Sequence, residues 1–121
     1  MARKQLLVMD DEPSFAEIVR RAAKEPGFSV TAISNPWQFK KTYETIEPSV
    51  VVLDIVMPEI DGIELIQWIA DQEHKAKIIV VSGWDASYIK SARTLAQVKG
   101  LDSIETLTKP ISLSDLRKAL S

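Results

Sequence analysis

The chain has 121 residues, a net charge of −2, 45% hydrophobic and 26% charged residues, and no cysteine. This length suits a single domain, here residues 1–121, with a core that needs no disulfide. The slightly acidic balance argues against nucleic-acid binding, which needs a dense basic surface, and the lack of cysteine excludes thiolate metal sites. No apolar run approaches a membrane span, and the run after the basic N-terminus is too short for a signal peptide. We therefore expect a cytoplasmic protein.

Short apolar runs alternate with helical patterns along the chain. The predicted strands cover residues 6–9, 28–33, 50–53, 78–81 and 103–108. The predicted helices, recognised by apolar residues three and four positions apart, cover residues 15–23, 37–46, 63–70, 89–96 and 113–120. Five consecutive strand–helix units imply an α/β fold, in which helices cover both faces of a parallel sheet.

The composition of the predicted strands indicates their order. Strands buried on both faces read as continuous apolar runs, and the first, third and fourth strands do so. The second and fifth strands contain Ser, Thr or Glu, which is typical of sheet edges. The order 2-1-3-4-5 places those two at the edges. It is the order of the flavodoxin-like fold, here a five-stranded (βα)5 three-layer sandwich.

Polar residues stand at the carboxyl ends of four predicted strands. They are Asp10 and Asp11 after the first, Asp54 at the end of the third, Ser82 at the end of the fourth and Lys109 at the end of the fifth. We expect them to converge, because ligands of open α/β sheets bind beyond these strand ends. A cation relieves the repulsion among three carboxylates, and Mg2+ prefers carboxylate, water and phosphate oxygens. Lys109 suits an anion, and Asp54 is placed to attack phosphorus.

Each feature also has a structural interpretation. Asp10 and Asp11, followed by Glu-Pro, suit the start of a helix, because Asp is a good N-cap and Pro is favoured in the first turn. Asp61 and Glu64 are better explained as a capping box. Asp54 is the hardest to explain, because a carboxylate directly after Val-Val-Val-Leu lies at the margin of the core. The combination at four strand ends therefore favours one functional site.

The same segments resemble the receiver domains of bacterial response regulators in two-component systems. The similarity covers the whole chain, and the stretch Asp-x-x-Met-Pro-x-x-Asp-Gly is its most specific part. The matching segments are LVMDDEP (7–13), VVLDIVMPEIDG (51–62), VVSG (80–83) and LTKP (107–110).

The resemblance implies a role for each residue at the strand ends. Asp54 would be the phosphoacceptor, Ser82 the switch hydroxyl and Lys109 the contact to the phosphoryl group. The implied ligands of Mg2+, or of Mn2+ in its place, are Asp10, Asp11, Asp54 and the backbone carbonyl of Val56.

The resemblance also implies partners. A histidine kinase or histidine phosphotransferase would donate the phosphoryl group from a phosphohistidine. The switch would then control an output domain or partner protein through the fourth predicted helix, the fifth strand and the fifth helix, with homodimer formation as one form of output. Such a protein catalyses only its own phosphorylation and dephosphorylation, so it is not otherwise an enzyme. Neither nucleic acid nor membrane is an expected partner.

The sequence departs from the family pattern at one position, resembles one subgroup of the family, and leaves two rival interpretations to consider. Thr106 stands where the family often has an aromatic switch residue. Residues 91–110 resemble receivers joined to cyclic-dinucleotide phosphodiesterase domains, so the chain is either a stand-alone receiver or part of a longer protein. A haloacid-dehalogenase-type phosphatase would need a second aspartate at the position of Val56. The alternative that stays open is a pseudo-receiver, an interaction module that works without phosphorylation.

Overall fold

The computed structural model of the protein describes residues 4–10, 13–24, 26–54, 62–72, 76–82, 94, 104–108 and 110–120. This part of the chain contains five strands and four α-helices. The strands are β1 (Gln5–Met9), β2 (Ser29–Ile33), β3 (Val50–Asp54), β4 (Lys77–Ser82) and β5 (Ile104–Thr108). The helices are α1 (Pro13–Lys24), α2 (Phe39–Ile46), α3 (Gly62–Ala70) and α4 (Leu113–Leu120).

All five strands pair in parallel, in the order β2-β1-β3-β4-β5. The predicted α/β class and the order 2-1-3-4-5 are thus confirmed. Residues 6–9, 50–53 and 78–81 of the three inner strands are buried, whereas every residue of β2 is only partly buried. The difference agrees with their compositions, because an inner strand is covered on both faces and an edge strand is not.

Helices cover both faces of the sheet. On one face, α1 and α4 contribute Val19 and Leu116 to a buried cluster with β1, β3 and β4. On the other face, α2 and α3 contribute Phe39 and Ile66 to a second buried cluster. Because successive strand residues point to opposite faces, each inner strand supplies both clusters. This double anchoring holds the carboxyl ends of the inner strands at one edge of the fold.

The second helix begins later than the pattern predicts. Instead of a helix from Trp37, a 3-10 turn occupies Pro36–Gln38 and α2 begins at Phe39. The Asn35 side-chain oxygen accepts a hydrogen bond from the backbone N–H of Trp37 at 2.9 Å. The Asn35 carbonyl oxygen accepts another from the N–H of Gln38 at 3.0 Å. An Asn that bonds the backbone two residues on stabilises a turn in competition with an α-helix.

Two other predictions fall largely outside the described residues. The fourth predicted helix, at residues 89–96, does so apart from residue 94, so α4 is the fifth helix predicted from the sequence. The capping box of α3 depends on Asp61, which also lies outside. Within the described ranges, no helix combines the length and apolar composition that crossing a membrane requires.

Candidate functional site

Asp10 lies directly beyond the carboxyl end of β1. Its backbone N–H donates a hydrogen bond to the carbonyl oxygen of Ile33 at 3.2 Å, which continues the β1–β2 ladder by one step. Asp10 is only 4% exposed, and it is the one buried charged residue in the part of the chain that the structure describes. Burying a carboxylate is costly unless it is compensated by polar or charged groups. The position of Asp10 therefore favours a functional role over a solvated helix cap.

The strand register brings Asp54 to the same level. Met9 of β1 pairs with Leu53 of β3, and the residues that follow them are Asp10 and Asp54. Neighbouring strands lie about 4.8 Å apart. The backbones of the two aspartates are therefore adjacent at the carboxyl edge of the sheet. As predicted, the third strand ends with Asp54.

The register continues the site across β4 and β5. Asp54 pairs with Val81, and the next residue, Ser82, pairs with Thr108. Lys109 follows Thr108 in the chain. The backbones of Asp54 and Ser82 thus lie on adjacent strands, one residue apart in level, as the predicted sheet order requires.

The structure does not describe the other predicted site residues and side chains. Asp11, Val56 and Lys109 lie outside the described residues, as do the side chains of Asp54 and Ser82. Among the side chains that the structure describes, no group of three or more His, Asp or Glu is placed to hold a metal ion. The predicted ligand set needs Asp11 and the Asp54 side chain. The assignments of these residues remain predictions.

A divalent cation fits the donor chemistry of this edge. Asp10 supplies a carboxylate that is almost fully buried, and the register sets the backbone of a second aspartate, Asp54, beside it. Oxygen donors of this kind match the preference of Mg2+, which usually takes one or two carboxylates and keeps several waters. Asp10 and Asp54 are thus two of the residues that would hold the ion.

Thr106, which stands where the family often has an aromatic switch residue, lies in β5. Thr106 pairs with Val80 in the ladder between β4 and β5 and is only partly buried. An aromatic side chain that turns inward on activation is absent at this position, because the residue is threonine. Any switch that involves this position therefore moves a small side chain.

Sequence reasoning missed two residues near the site. Thr108 is exposed and lies opposite Ser82 in the register. Arg20 lies on α1 and lines a cavity together with Asp10. Thr108 belongs to the matching segment LTKP, but a threonine in a strand does not by itself indicate a role, and an arginine on the polar side of a helix is ordinary as well. Only the three-dimensional arrangement relates them to the site.

Comparisons with known proteins agree with this arrangement. A model of the response regulator receiver domain family matches residues 6–121. The chain is 30% identical over 109 residues to the alkaline phosphatase synthesis transcriptional regulatory protein PhoP of Bacillus subtilis (strain 168). This alignment covers 90% of the chain and 43% of that protein. The chain thus spans less than half the length of this relative.

Solved structures show the same fold. A response regulator signal receiver domain from Bermanella marisrubri is similar at a TM-score of 0.77 and 29% identity, over 97% of this chain and 94% of that one. The chemotaxis protein CheY4 of Vibrio cholerae is similar at a TM-score of 0.83 and 19% identity, over 98% and 97%. The family match over almost the whole chain, together with a sheet in the order β2-β1-β3-β4-β5, means that the chain belongs to the response regulator receiver domains of two-component signalling.

Proposed function

We propose that this receiver domain accepts a phosphoryl group on Asp54 from the phosphohistidine of a histidine kinase or histidine phosphotransferase, in a reaction that depends on Mg2+. The observation that carries the proposal is the register between β1 and β3. It sets Asp54 beside the buried Asp10 at the carboxyl edge of the sheet. The family match over residues 6–121 supports the signalling role.

The chemistry follows from this placement. A carboxylate oxygen of Asp54 forms a bond to phosphorus while the bond from phosphorus to the donor imidazole nitrogen breaks, and that nitrogen keeps the electron pair. Catalysis of phosphoryl transfer consists mainly of positioning and charge stabilisation. When bound, Mg2+ supplies positive charge to the phosphoryl oxygens. Asp10, Asp11, Asp54 and the backbone carbonyl of Val56 would hold the ion. The ammonium of Lys109 and the hydroxyl of Ser82 would contact the phosphoryl oxygens.

The output side of the proposal concerns β5 and α4. Ser82 lies opposite Thr108 of β5, so a movement of Ser82 towards the phosphoryl group would act on the neighbouring strand first. We propose that a partner protein or output domain contacts β5, α4 and the segment between β4 and β5. A homodimer formed on phosphorylation would use the same surface. The cytoplasm is the compartment that we propose for this exchange.

Phosphate incorporation tests the function directly. With Mg2+ and acetyl phosphate, mass spectrometry of the intact protein should find one added phosphate. Asp54→Asn should abolish the addition. Asp115→Asn, the same change at an exposed position in the first turn of α4, should leave it intact.

Two results would contradict the proposal. Phosphate retained in Asp54→Asn would move the acceptor to another residue. A wild-type protein that takes no phosphate from acetyl phosphate or from a phosphorylated histidine phosphotransferase would instead be a pseudo-receiver.

A further inference from the structure

A cavity of about 220 Å³ lies between α1 and the carboxyl ends of β1 and β2. Its lining residues come from these three parts of the chain and from the residue that follows β2. They are Asp10, Ala16, Arg20, Ala32, Ile33 and Ser34. The cavity is large enough for several water molecules or one small ligand. One of its lining residues, Asp10, thus also belongs to the candidate phosphorylation site.

Two opposite charges line this cavity. Asp10 is 4% exposed, whereas the Arg20 side chain is 50% exposed. The guanidinium Nη1 of Arg20 lies 3.7 Å from Oε2 of Glu17, one turn earlier on α1. An exposed pair at this distance is weak and leaves the arginine accessible to other ions. Arg21, the next residue, is also exposed but does not line the cavity.

We propose that Arg20 sets the electrostatic selectivity of the site, weakening the binding of the divalent cation and strengthening the approach of a small anionic phosphodonor such as an acyl phosphate. This inference rests on the proposed function, because it assigns a regulating residue to the same site. Arg20 is a positioning residue and makes no covalent contact with the phosphoryl group.

The positive charge of Arg20 lies beside the cavity that Asp10 also lines. A fixed positive charge on the cavity that the Asp10 carboxylate lines repels a divalent cation and attracts a divalent anion. Because Asp10 is almost fully buried, the interaction is screened less than it would be between two exposed side chains. At separations on the order of 10 Å, a unit charge acting on a divalent ion changes its binding by about threefold to tenfold at low ionic strength. The two effects have opposite directions, and general damage to the site would not produce this pattern.

Metal affinity provides the first test and needs no turnover. Mn2+ is titrated into the protein, and the free ion is counted by electron paramagnetic resonance. Arg20→Gln should bind Mn2+ about threefold to tenfold more tightly than wild type at low ionic strength. The difference should shrink towards none at about 1 M salt, where the Debye length is roughly 3 Å. Arg21→Gln loses the same charge on the same helix and should change the affinity much less.

The rate of phosphorylation by acetyl phosphate provides the second test. At saturating Mg2+, Arg20→Gln should take up phosphate several-fold more slowly than Arg21→Gln. Melting temperatures of both variants in chelator that equal the wild-type value would show that neither change damages the fold. Unchanged Mn2+ affinity in Arg20→Gln, or equal effects of the two substitutions, would overturn the inference while leaving Asp54 phosphorylation intact. Failure of the wild-type protein to bind Mn2+ and to take up phosphate would overturn the proposed function, and this inference with it.

Discussion

The phenolic oxygen of Tyr43 accepts a hydrogen bond from the backbone N–H of Ala76 at 3.1 Å. The two residues are 33 positions apart, so the bond joins α2 to the chain just before β4. Tyr43 is 2% exposed, and its ring lies 5.2 Å, centroid to centroid, from that of Trp68 in an edge-to-face arrangement. A buried hydroxyl within an aromatic cluster thus stabilises the amino end of β4, which is the end opposite the candidate site.

Removing this hydroxyl should destabilise the fold without disturbing the cluster. Tyr43→Phe keeps the ring and leaves the Ala76 N–H without its acceptor, which costs about 1–3 kcal/mol. Urea denaturation measures the loss. Thr45 provides the control, because its hydroxyl donates to the carbonyl oxygen of Lys41 at 2.8 Å but is exposed. Thr45→Ala should change stability by less than about 0.5 kcal/mol. Equal losses of unfolding free energy in the two variants would mean that the buried hydrogen bond stabilises the fold no more than the exposed one does.

The same hydroxyl should make stability depend on alkaline pH. Burial raises the pKa of Tyr43 above its ordinary value, and the bond from Ala76 offsets only part of that shift. The folded protein therefore holds the phenolic proton more tightly than the unfolded chain does. This contribution to stability is complete below the unfolded pKa of about 10 and is lost as pH rises through the higher folded pKa.

Comparison with Tyr43→Phe isolates this titration, since every other ionisable group is common to both proteins. The stability difference between wild type and variant should shrink as pH rises from about 9 to 11. Parallel stability curves across that range would show that Tyr43 has no shifted pKa.

Lys77 should stabilise the end of α4. Its ammonium donates to the carbonyl oxygen of Ala119 at 2.8 Å and lies 3.9 Å from a carboxylate oxygen of Glu105. The last carbonyls of a helix have no partner within the helix, so a lysine there satisfies one of them. Lys77→Met should cost about 1 kcal/mol and should speed amide hydrogen exchange at the end of α4.

Glu105→Gln separates the two contacts of Lys77. It removes only a partly exposed ion pair, which is worth about 0–1 kcal/mol, and it leaves the bond to Ala119 in place. A loss in Glu105→Gln as large as that in Lys77→Met would assign the effect to the ion pair instead of the helix end.

The sheet could be predicted from the sequence because burial on both faces shapes strand composition. Val50 to Leu53 is a continuous apolar run, and it lies in an inner strand. Ser29 to Ile33 is mixed, and it forms an edge. The strand order then places the ends of β1 and β3 side by side, which is why Asp10 and Asp54 could be predicted as neighbours.

Other features could not be predicted, because they depend on single side-chain contacts. The turn before α2 depends on the side chain of Asn35, which overrides the helical pattern from Trp37. That Arg20 and Asp10 line the same cavity depends on how α1 lies over the sheet. No periodicity in the sequence encodes that placement.

The metal site itself should be visible as thermal stabilisation. A ligand that binds only the folded state raises stability by about 2.7 kcal/mol at roughly 100 times its dissociation constant, which shifts the melting temperature by several degrees. Mg2+ should therefore raise the melting temperature of the wild-type protein, and chelator should reverse the shift.

Asp10→Asn keeps the size of the buried side chain but removes its charge, so most of the shift in melting temperature should disappear. Asp11→Asn should act in the same way if both aspartates hold the ion. Asp115→Asn makes the same chemical change at an exposed position on α4 and should retain the full shift. An equal response to Mg2+ in wild type, Asp10→Asn, Asp11→Asn and Asp115→Asn would place the ion elsewhere on the protein and remove Asp10 and Asp11 from the site.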